Sequence, residues 1–344
     1  MKRLAVLVLL LAGCGFAGNR GYDWYTGQIN TPMSSTSQKV AFHIDQGESS
    51  DQIASDLAAR GLIRSPEVFL VYLRYQDKGA QLEAGDFTLD RNMNMLQIIA
   101  ALGNAKVQQV SVTLTPGSTM NLMAQKAAAA GLGTAATYVA AASDMTWQYD
   151  FLQGRPQGAP GNLEGFLFPD TYKLDKGSAA KDLVKRQLDQ FGQQVTAALR
   201  AQMAQAAGGR PAETLYSVIT LASIVEREVT KDPDRAIVCG IFYNRLAIHM
   251  ALQDDITVLY GLNKLQGPLT DPDKQKDTPY NTYLHPGLPV GPISNPGLAS
   301  INACVTPQKS NYLYFFADAH GVTRYAATYA DHLRQQALYG LAPD

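Results

Sequence analysis

The sequence has few of the residues from which metal sites, disulfide scaffolds and phosphate-binding loops are built. Its 344 residues include three cysteines and five histidines. These form neither a Cys-x-x-Cys pair nor a His-Glu-x-x-His motif, which disfavours a zinc ribbon or a zincin. The chain also lacks Gly-x-x-x-x-Gly-Lys-Ser/Thr and Gly-x-Ser-x-Gly. We therefore expect no metal and no cofactor.

The chain also lacks an excess of charge of either sign. Its 29 Lys and Arg side chains nearly balance its 30 Asp and Glu side chains, so bulk electrostatics give no argument for a nucleic-acid partner. With 46% hydrophobic and 17% charged residues, the composition is far from that of a disordered tail. The length favours two packed domains.

The first residues resemble an export signal. Lys2 and Arg3 precede an apolar run over residues 4–12, which is too short to cross ~30 Å of hydrocarbon comfortably. The segment Leu11-Ala12-Gly13-Cys14 matches a lipobox, in which the cysteine carries a lipid. We expect a signal and lipobox segment over residues 1–18, a membrane-anchored lipoprotein and an extracytoplasmic position in the cell envelope. A single N-terminal transmembrane helix is the alternative anchor.

Shifts in composition divide the rest of the chain. Residues 19–39 are rich in Gly, Ser, Thr and Asn, which predicts a tether. Residues 40–147 are predicted to form a small strand-helix module. A Gly- and Pro-rich stretch at 154–161 then breaks any regular element, so the second, larger domain is placed over residues 148–344. The fold class is therefore predicted to be α+β.

An internal echo lies within the first domain. Ile44, Gly47, Ser49, Ile53, Ala54, Gly61 and Leu62 recur seventy positions later as Leu114, Gly117, Thr119, Met123, Ala124, Gly131 and Leu132. Each copy predicts a short strand, a Gly turn, a Ser or Thr cap, a helix and a Gly stop. This is the pattern of a LysM-like carbohydrate-binding module with an internal duplication. A generic strand-turn-helix unit repeated for packing is the alternative.

A long apolar helix is predicted to end on a carboxylate of chemical interest. Residues 215–225 are apolar on most faces, which predicts an interior helix. Glu226 follows this run, over Ile219, Ala222 and Ser223. Its carboxyl group should emerge from an apolar face and keep its proton, as a general acid for a glycosidic oxygen requires. A solvated helix-end glutamate is the alternative, and Glu228, 200° around the axis, is expected to be exposed.

Five motifs in one order resemble the signature of the endolytic murein transglycosylases, the MltG or YceG-like family. They lie at residues 163–172, 221–228, 243–246, 280–283 and 287–297. The resemblance spans roughly Val40 to the C-terminus and includes the echo, where the family has its LysM-like region.

The resemblance implies an enzyme, a lyase that cuts peptidoglycan between N-acetylmuramic acid and N-acetylglucosamine and leaves a 1,6-anhydromuramyl end. It implies Glu226 as the catalytic acid. Ordinary glycosidases need a second carboxylate, whereas here the muramyl C6 hydroxyl attacks its own anomeric carbon and one acid suffices. The resemblance implies that the protein binds glycan strands. It also implies that the protein works beside glycan polymerases and penicillin-binding proteins.

Amide, carboxyl and aromatic groups suit sugar recognition. The predicted substrate-binding residues are Glu164, Ser223, Asn244, Gln253, Asp255, Tyr280, Asn281 and Tyr283. Two of them have a structural alternative: Glu164 could tie down the turn that follows it, and Asp255 could cap the next helix.

The sequence allows two interpretations of Cys239 and Cys304. With Cys14 lipidated, Cys239 and Cys304 could form a disulfide in an oxidising compartment, or could be two small buried hydrophobic residues.

Two rival functions remain. A non-catalytic envelope scaffold that binds glycan predicts that Glu226→Gln changes nothing measurable. A serine acyl-transfer enzyme is suggested by the Ser-x-x-Lys match at Ser178 and Lys181, but no Lys-Thr-Gly follows it.

Overall fold

The computed structural model describes residues 21, 23–75, 82–103, 109–205, 214–229, 231–264 and 267–340. The chain forms two compact units, the first ending at Gln109 and the second beginning at Val110, and each has its own hydrophobic core. The predicted lipobox with Cys14 lies outside the described residues. Across the ranges given above, no helix is both long and apolar enough to span a membrane.

The first unit combines a two-stranded antiparallel sheet with helices. Its elements are α1 (23–30), β1 (Lys39–Ile44), α2 (Ser50–Ala59), α3 (Pro66–Tyr75), β2 (Gly85–Asp90) and α4 (Met95–Leu102). Phe42 of β1 lies opposite Phe87 of β2, and both side chains are buried. Because side chains alternate along a strand, Phe42 and Ile44 share the buried face of β1. The helices contribute Leu57, Phe69 and other residues to the same core.

Part of the predicted tether is ordered. Residues 23–30 are helical, with Ile29 buried in the first core and Tyr25 packed against it. These residues are four apart and therefore share one helix face. Arg64 donates a 2.7 Å hydrogen bond to the Pro32 carbonyl, which fixes the chain after the helix. A composition rich in small polar residues hid this short apolar stripe.

The second unit contains the remaining elements. They are β3 (Gln109–Thr113), α5 (Met120–Ala129), α6 (Ala135–Ala142), a 3₁₀ turn (Asp150–Leu152), β4 (Thr171–Asp175), α7 (Ala180–Gln194), α8 (Ala197–Gln205), α9 (Leu215–Glu228), α10 (Asp232–Ala247), α11 (Asp255–Gly261), α12 (Asp271–Lys274), α13 (Leu298–Val305), β5 (Tyr314–Ala317), β6 (Thr323–Ala326) and α14 (Tyr329–Leu338). The strands form two-stranded sheets, β3 with β4 and β5 with β6. The α+β fold class is confirmed.

Helix α9 lies at the centre of the second unit. Every residue from Val218 to Val225 is buried, as the apolar sequence predicts, and α9 packs against α10 and α13. Those two helices are joined by a disulfide between Cys239 and Cys304. Of the two readings left open by the sequence, the structure therefore has the disulfide.

The echo appears as a repeated local structure. Ser49 and Thr119 cap α2 and α5 by accepting a hydrogen bond from a backbone N–H, and Gly61 and Gly131 follow these helices with positive φ. The two copies nevertheless belong to different units. The structure thus divides the chain at residue 109 rather than 147, because the second copy buries Leu114, Met123 and its neighbours in the core of the second unit.

Candidate active site

Glu226 lies in a closed ion pair rather than on an open apolar face. Its side chain is 7% exposed. Arg235 of α10 donates from Nη1 to Oε1 at 3.1 Å, and the backbone N–H of Gly297 donates to Oε2 at 2.9 Å. Arg235 also donates to Ser300 Oγ of α13. Both carboxylate oxygens therefore accept hydrogen bonds from the protein, and the expected apolar setting of Glu226 is wrong.

Glu228 has the raised pKa that the sequence predicts for Glu226. Its carboxyl group is partly buried and hydrogen-bonded to the carboxyl group of Asp254. Burial is the main cause that raises the pKa of Glu228 well above its ordinary value, and the nearby charges of Asp254 and Asp255 raise it further. The expectation that Glu228 is the exposed glutamate is wrong, since the end of α9 faces the start of α11.

Asp254 is held rigidly opposite Glu228. It is 5% exposed and caps α11, where its Oδ1 accepts from Thr257 N at 3.0 Å. Its own backbone N–H donates to Thr282 Oγ1 at 3.0 Å. Burial raises the pKa of Asp254 to about 6. The pair therefore holds a proton in a pH range in which ordinary carboxyl groups are ionised.

Arg227 brings a positive charge to this region. Its charge interacts with Asp254, Glu164 and Glu228, and its Nη1 is buried without a hydrogen-bond partner among the described residues. Because an unpaired buried N–H is costly, this group is available to an oxygen atom that enters the site.

Glu164 is a buried carboxylate next to this site. It is 3% exposed, and its carboxylate accepts hydrogen bonds from Met120 N (2.9 Å), Asn295 Nδ2 (2.6 Å) and Tyr260 Oη (3.0 Å). Burial raises its pKa to about 7. These contacts tie α5, α11 and the loop before α13 together, which fits the structural alternative for Glu164 rather than contact with a glycan.

Asp255 and Tyr283 form an open pair near Glu228. Asp255 is exposed, and Tyr283 donates to its Oδ1 at 2.5 Å. The Lys274 ammonium lies 5.2 Å from the centre of the Tyr283 ring. Asp255 does not cap α11, because Asp254 does. A substrate could therefore reach this pair, and the binding role of both residues stays a prediction.

A family model described as the YceG-like family matches residues 42–337. The chain belongs to this family. It is 31% identical over 312 residues to the endolytic murein transglycosylase of Bacillus subtilis (strain 168), covering 87% of this chain and 84% of that protein. It is 29% identical over 362 residues to the protein of the same name from Streptococcus pneumoniae serotype 2, covering 97% of this chain and 64% of that one.

A solved structure supports the same relationship. The crystal structure of a yceG-like protein from Listeria monocytogenes superposes with a TM-score of 0.57 at 29% identity, and the match covers 87% of this chain and all of that one. The fold of the YceG-like chain is therefore shared along most of its length.

Three other residues predicted to bind substrate instead hold the backbone of the YceG-like chain in place. Asn244 donates to the carbonyls of Ser310 and Tyr312, both at 2.9 Å. Asn281 is fully buried and donates to the Lys274 and Lys276 carbonyls. Ser223 is also fully buried and accepts from Ile293 N at 3.0 Å. Their polar atoms organise loops, so the structure does not bring them to a substrate.

The remaining predicted residues stay near open space. Gln253 is exposed, with a positive φ of 48°, immediately before Asp254. Tyr280 packs edge-on against Tyr260, with ring centroids 4.8 Å apart.

Lys181 of the Ser-x-x-Lys match forms an ion pair with Asp144, with 3.5 Å between the charged atoms. No group of residues suited to hold a metal ion occurs in the ranges that the structure covers.

Sequence reasoning missed Glu228, Asp254 and Arg235 as site residues. One local signal was present: Asp254 lies three residues before Thr257, which is the spacing of an Asx cap. No local pattern indicated that Glu228 and Asp254 face each other, because their contact depends on how α9 and α11 pack.

Proposed function

We propose that this chain is a lytic transglycosylase that cuts peptidoglycan glycan strands internally, with Glu228 as the acid. The observation that carries this proposal is the hydrogen-bonded pair of Glu228 and Asp254, in which the pKa of Glu228 is raised well above its ordinary value. The family membership and the names of its relatives support the reaction class.

The first chemical step would be protonation of the leaving oxygen. Glu228 donates its proton to the oxygen between muramyl C1 and the N-acetylglucosamine unit, and the C1–O bond breaks. Positive charge then develops at C1, and nearby carboxylates stabilise an oxocarbenium-like transition state. Asp254 and Asp255 are the candidates for this stabilisation, since both charges act on Glu228.

The second step would close the anhydro ring. Glu228, now a carboxylate, accepts the proton of the muramyl C6 hydroxyl while its oxygen attacks C1. One C–O bond is broken and one is formed, the proton returns to Glu228, and no water is consumed. This balance explains why the site needs one acid rather than the acid and nucleophile of an ordinary retaining glycosidase.

In this proposal Glu226 is a positioning residue. Its ion pair with Arg235 and its bond from Gly297 join the end of α9 to α10 and α13. Because Glu228 is two residues further along the same helix, these two contacts of Glu226 fix the direction in which the Glu228 side chain points.

The test is a digest of uncrosslinked glycan, with products read by mass spectrometry. We expect anhydromuramyl ends from the wild type, about 10²–10⁴-fold slower cutting by Glu228→Gln and substantial cutting by folded Glu226→Gln. If Glu226→Gln is inactive while Glu228→Gln remains active, Glu226 rather than Glu228 is the acid. Reducing ends would indicate a hydrolase, and no cutting by the wild type would favour the glycan-binding scaffold.

We also propose that Cys14 carries the lipid that anchors the chain beside glycan-polymerising enzymes and penicillin-binding proteins. The lipobox at residues 11–14 supports the anchor. Replacing Cys14 with alanine should move the protein from the membrane fraction to the soluble envelope fraction, and unchanged fractionation would contradict a lipid on this residue.

A further inference from the structure

A cavity of about 450 Å³ opens in the second unit, outside the Glu228 and Asp254 pair. Its walls come from the start of α5, the turn at 158–162, the end of α11 and the Pro-rich loop before α13. The residues that line it include Asn121, Asn162, Asn263, Tyr260, Tyr280 and Val290. The volume lies in the range typical of small-molecule sites, ~300–1,000 Å³.

The walls of the cavity are fixed by hydrogen bonds. Asn162 Oδ1 accepts from the backbone N–H of Glu164 at 3.1 Å. Tyr260 donates to the buried Glu164 carboxylate at 3.0 Å, and Val290 N donates to the Pro279 carbonyl at 3.2 Å. A ligand would therefore meet preformed walls, and binding would need little ordering of the protein.

The chemistry of the walls favours a neutral sugar. None of the described residues that line the cavity is charged. A stem peptide or a muramyl lactyl group carries charge, and these walls offer no opposite charge to pair with it. Three asparagine amides can donate to and accept from hydroxyl and acetamido groups. The tyrosine rings offer apolar faces with polar tips.

The cavity is linked electrostatically to the proposed catalytic pair. Arg227 interacts both with Glu164, which supports the Tyr260 wall, and with Asp254 and Glu228. Tyr260 lies six residues after Asp254, which places the two about 9 Å apart along the α11 axis. A glycan that binds in the cavity can therefore extend towards the acid.

We propose that this cavity is a subsite for a neutral N-acetylhexosamine, the N-acetylglucosamine unit of the strand. The inference rests on the proposed function, because it assigns part of the same substrate. It adds a recognition rule: the cavity accepts the acetamido sugar that has no lactyl group and excludes the muramyl sugar that carries the stem peptide.

The experiment measures binding of triacetylchitotriose to the full chain by two-dimensional NMR. Two variants remove an amide without disturbing the fold. Asn121 is exposed on α5, where alanine is a better helix former, and Asn263 has a φ of 53°, which glycine adopts freely. Asn121→Ala and Asn263→Gly should each weaken binding about three- to tenfold, as expected for one lost hydrogen bond.

Controls separate this inference from the catalytic proposal. Asn302→Ala removes an exposed helical asparagine outside the cavity and should leave binding unchanged. Glu228→Gln should bind the trimer like the wild type, whether or not it is inactive. The deacetylated trimer and a sugar-free stem peptide should bind at least tenfold more weakly. The subsite is refuted if neither cavity variant weakens binding, if the stem peptide binds as well as the trimer, or if no binding occurs up to about 10 mM.

Discussion

The carboxyl group of Glu228, at the end of α9, is hydrogen-bonded to that of Asp254, which caps α11. Two facing carboxylates repel each other, so the pair retains a proton that a single exposed carboxylate would release. The partner is a fixed part of the structure, since Thr257 and Thr282 hold Asp254 in place. This relationship makes the acid testable through its neighbour.

Asp254→Asn should shift the pH dependence of cleavage. An acid catalyst loses activity as the pH rises through its pKa, and removing the charge of Asp254 lowers the pKa of Glu228. The alkaline limb of kcat/KM should therefore move to lower pH. Asp255→Asn is the matched control and should give a smaller shift, because Asp255 contributes less. An unmoved limb in Asp254→Asn would show that the pair does not control the acid.

The Glu226 and Arg235 pair should stabilise the second unit. Arg235→Met leaves a 7% exposed carboxylate without its partner, which should cost about 3–5 kcal/mol of unfolding free energy. Adding Glu226→Gln to that variant should recover much of the loss. Urea denaturation of the two single variants and the double variant measures this coupling. Strictly additive losses would mean that the two side chains do not interact.

The buried Glu164 should make stability depend on pH. Its folded pKa of about 7 lies above the ordinary 4.5, so folding favours the protonated form. This contribution is present below about pH 4.5 and is lost as the pH rises through about 7, with a limit of about 3 kcal/mol. The unfolding free energy of the wild type minus that of Glu164→Gln should thus fall between pH 5 and 8. A constant difference would contradict the raised pKa.

The disulfide between Cys239 and Cys304 should stabilise the packing of α10 on α13. The two cysteines are 65 residues apart, and loss of a native disulfide typically costs roughly 2–5 kcal/mol. The double alanine variant should therefore unfold at lower urea. A reducing agent should destabilise the wild type and leave the double variant unchanged. Equal sensitivity of both proteins would show that the bond is absent from the folded protein.

Local patterns predicted much of the fold. The apolar run before Glu226 gave a buried α9, and Ser49 and Thr119 gave the repeated caps, because helix periodicity and capping are properties of neighbouring residues. The division at residue 109 was not predictable in this way. It depends on Leu114 and Met123 packing into one core with residues far along the chain.

The sequence and the structure lead to two different glutamates at the same end of α9. The sequence predicts Glu226 as the acid, whereas the structure pairs Glu226 with Arg235 of the next helix, and our proposal places the acid at Glu228. Asn244 and Asn281 have the residue types of a sugar site, yet their amides hold backbone carbonyls in place. Residue type indicates possible chemistry, whereas the partner of each polar group depends on tertiary packing.

A direct titration of the Glu228 carboxyl group tests the central claim. Selective ¹³C labelling of glutamate, with the resonance assigned by its absence in Glu228→Gln, follows this one group through the pH range. The account predicts that Glu228 stays protonated well above pH 4.5 and that Asp254→Asn lowers its midpoint. A Glu228 that titrates near 4.5, with or without Asp254, would contradict it.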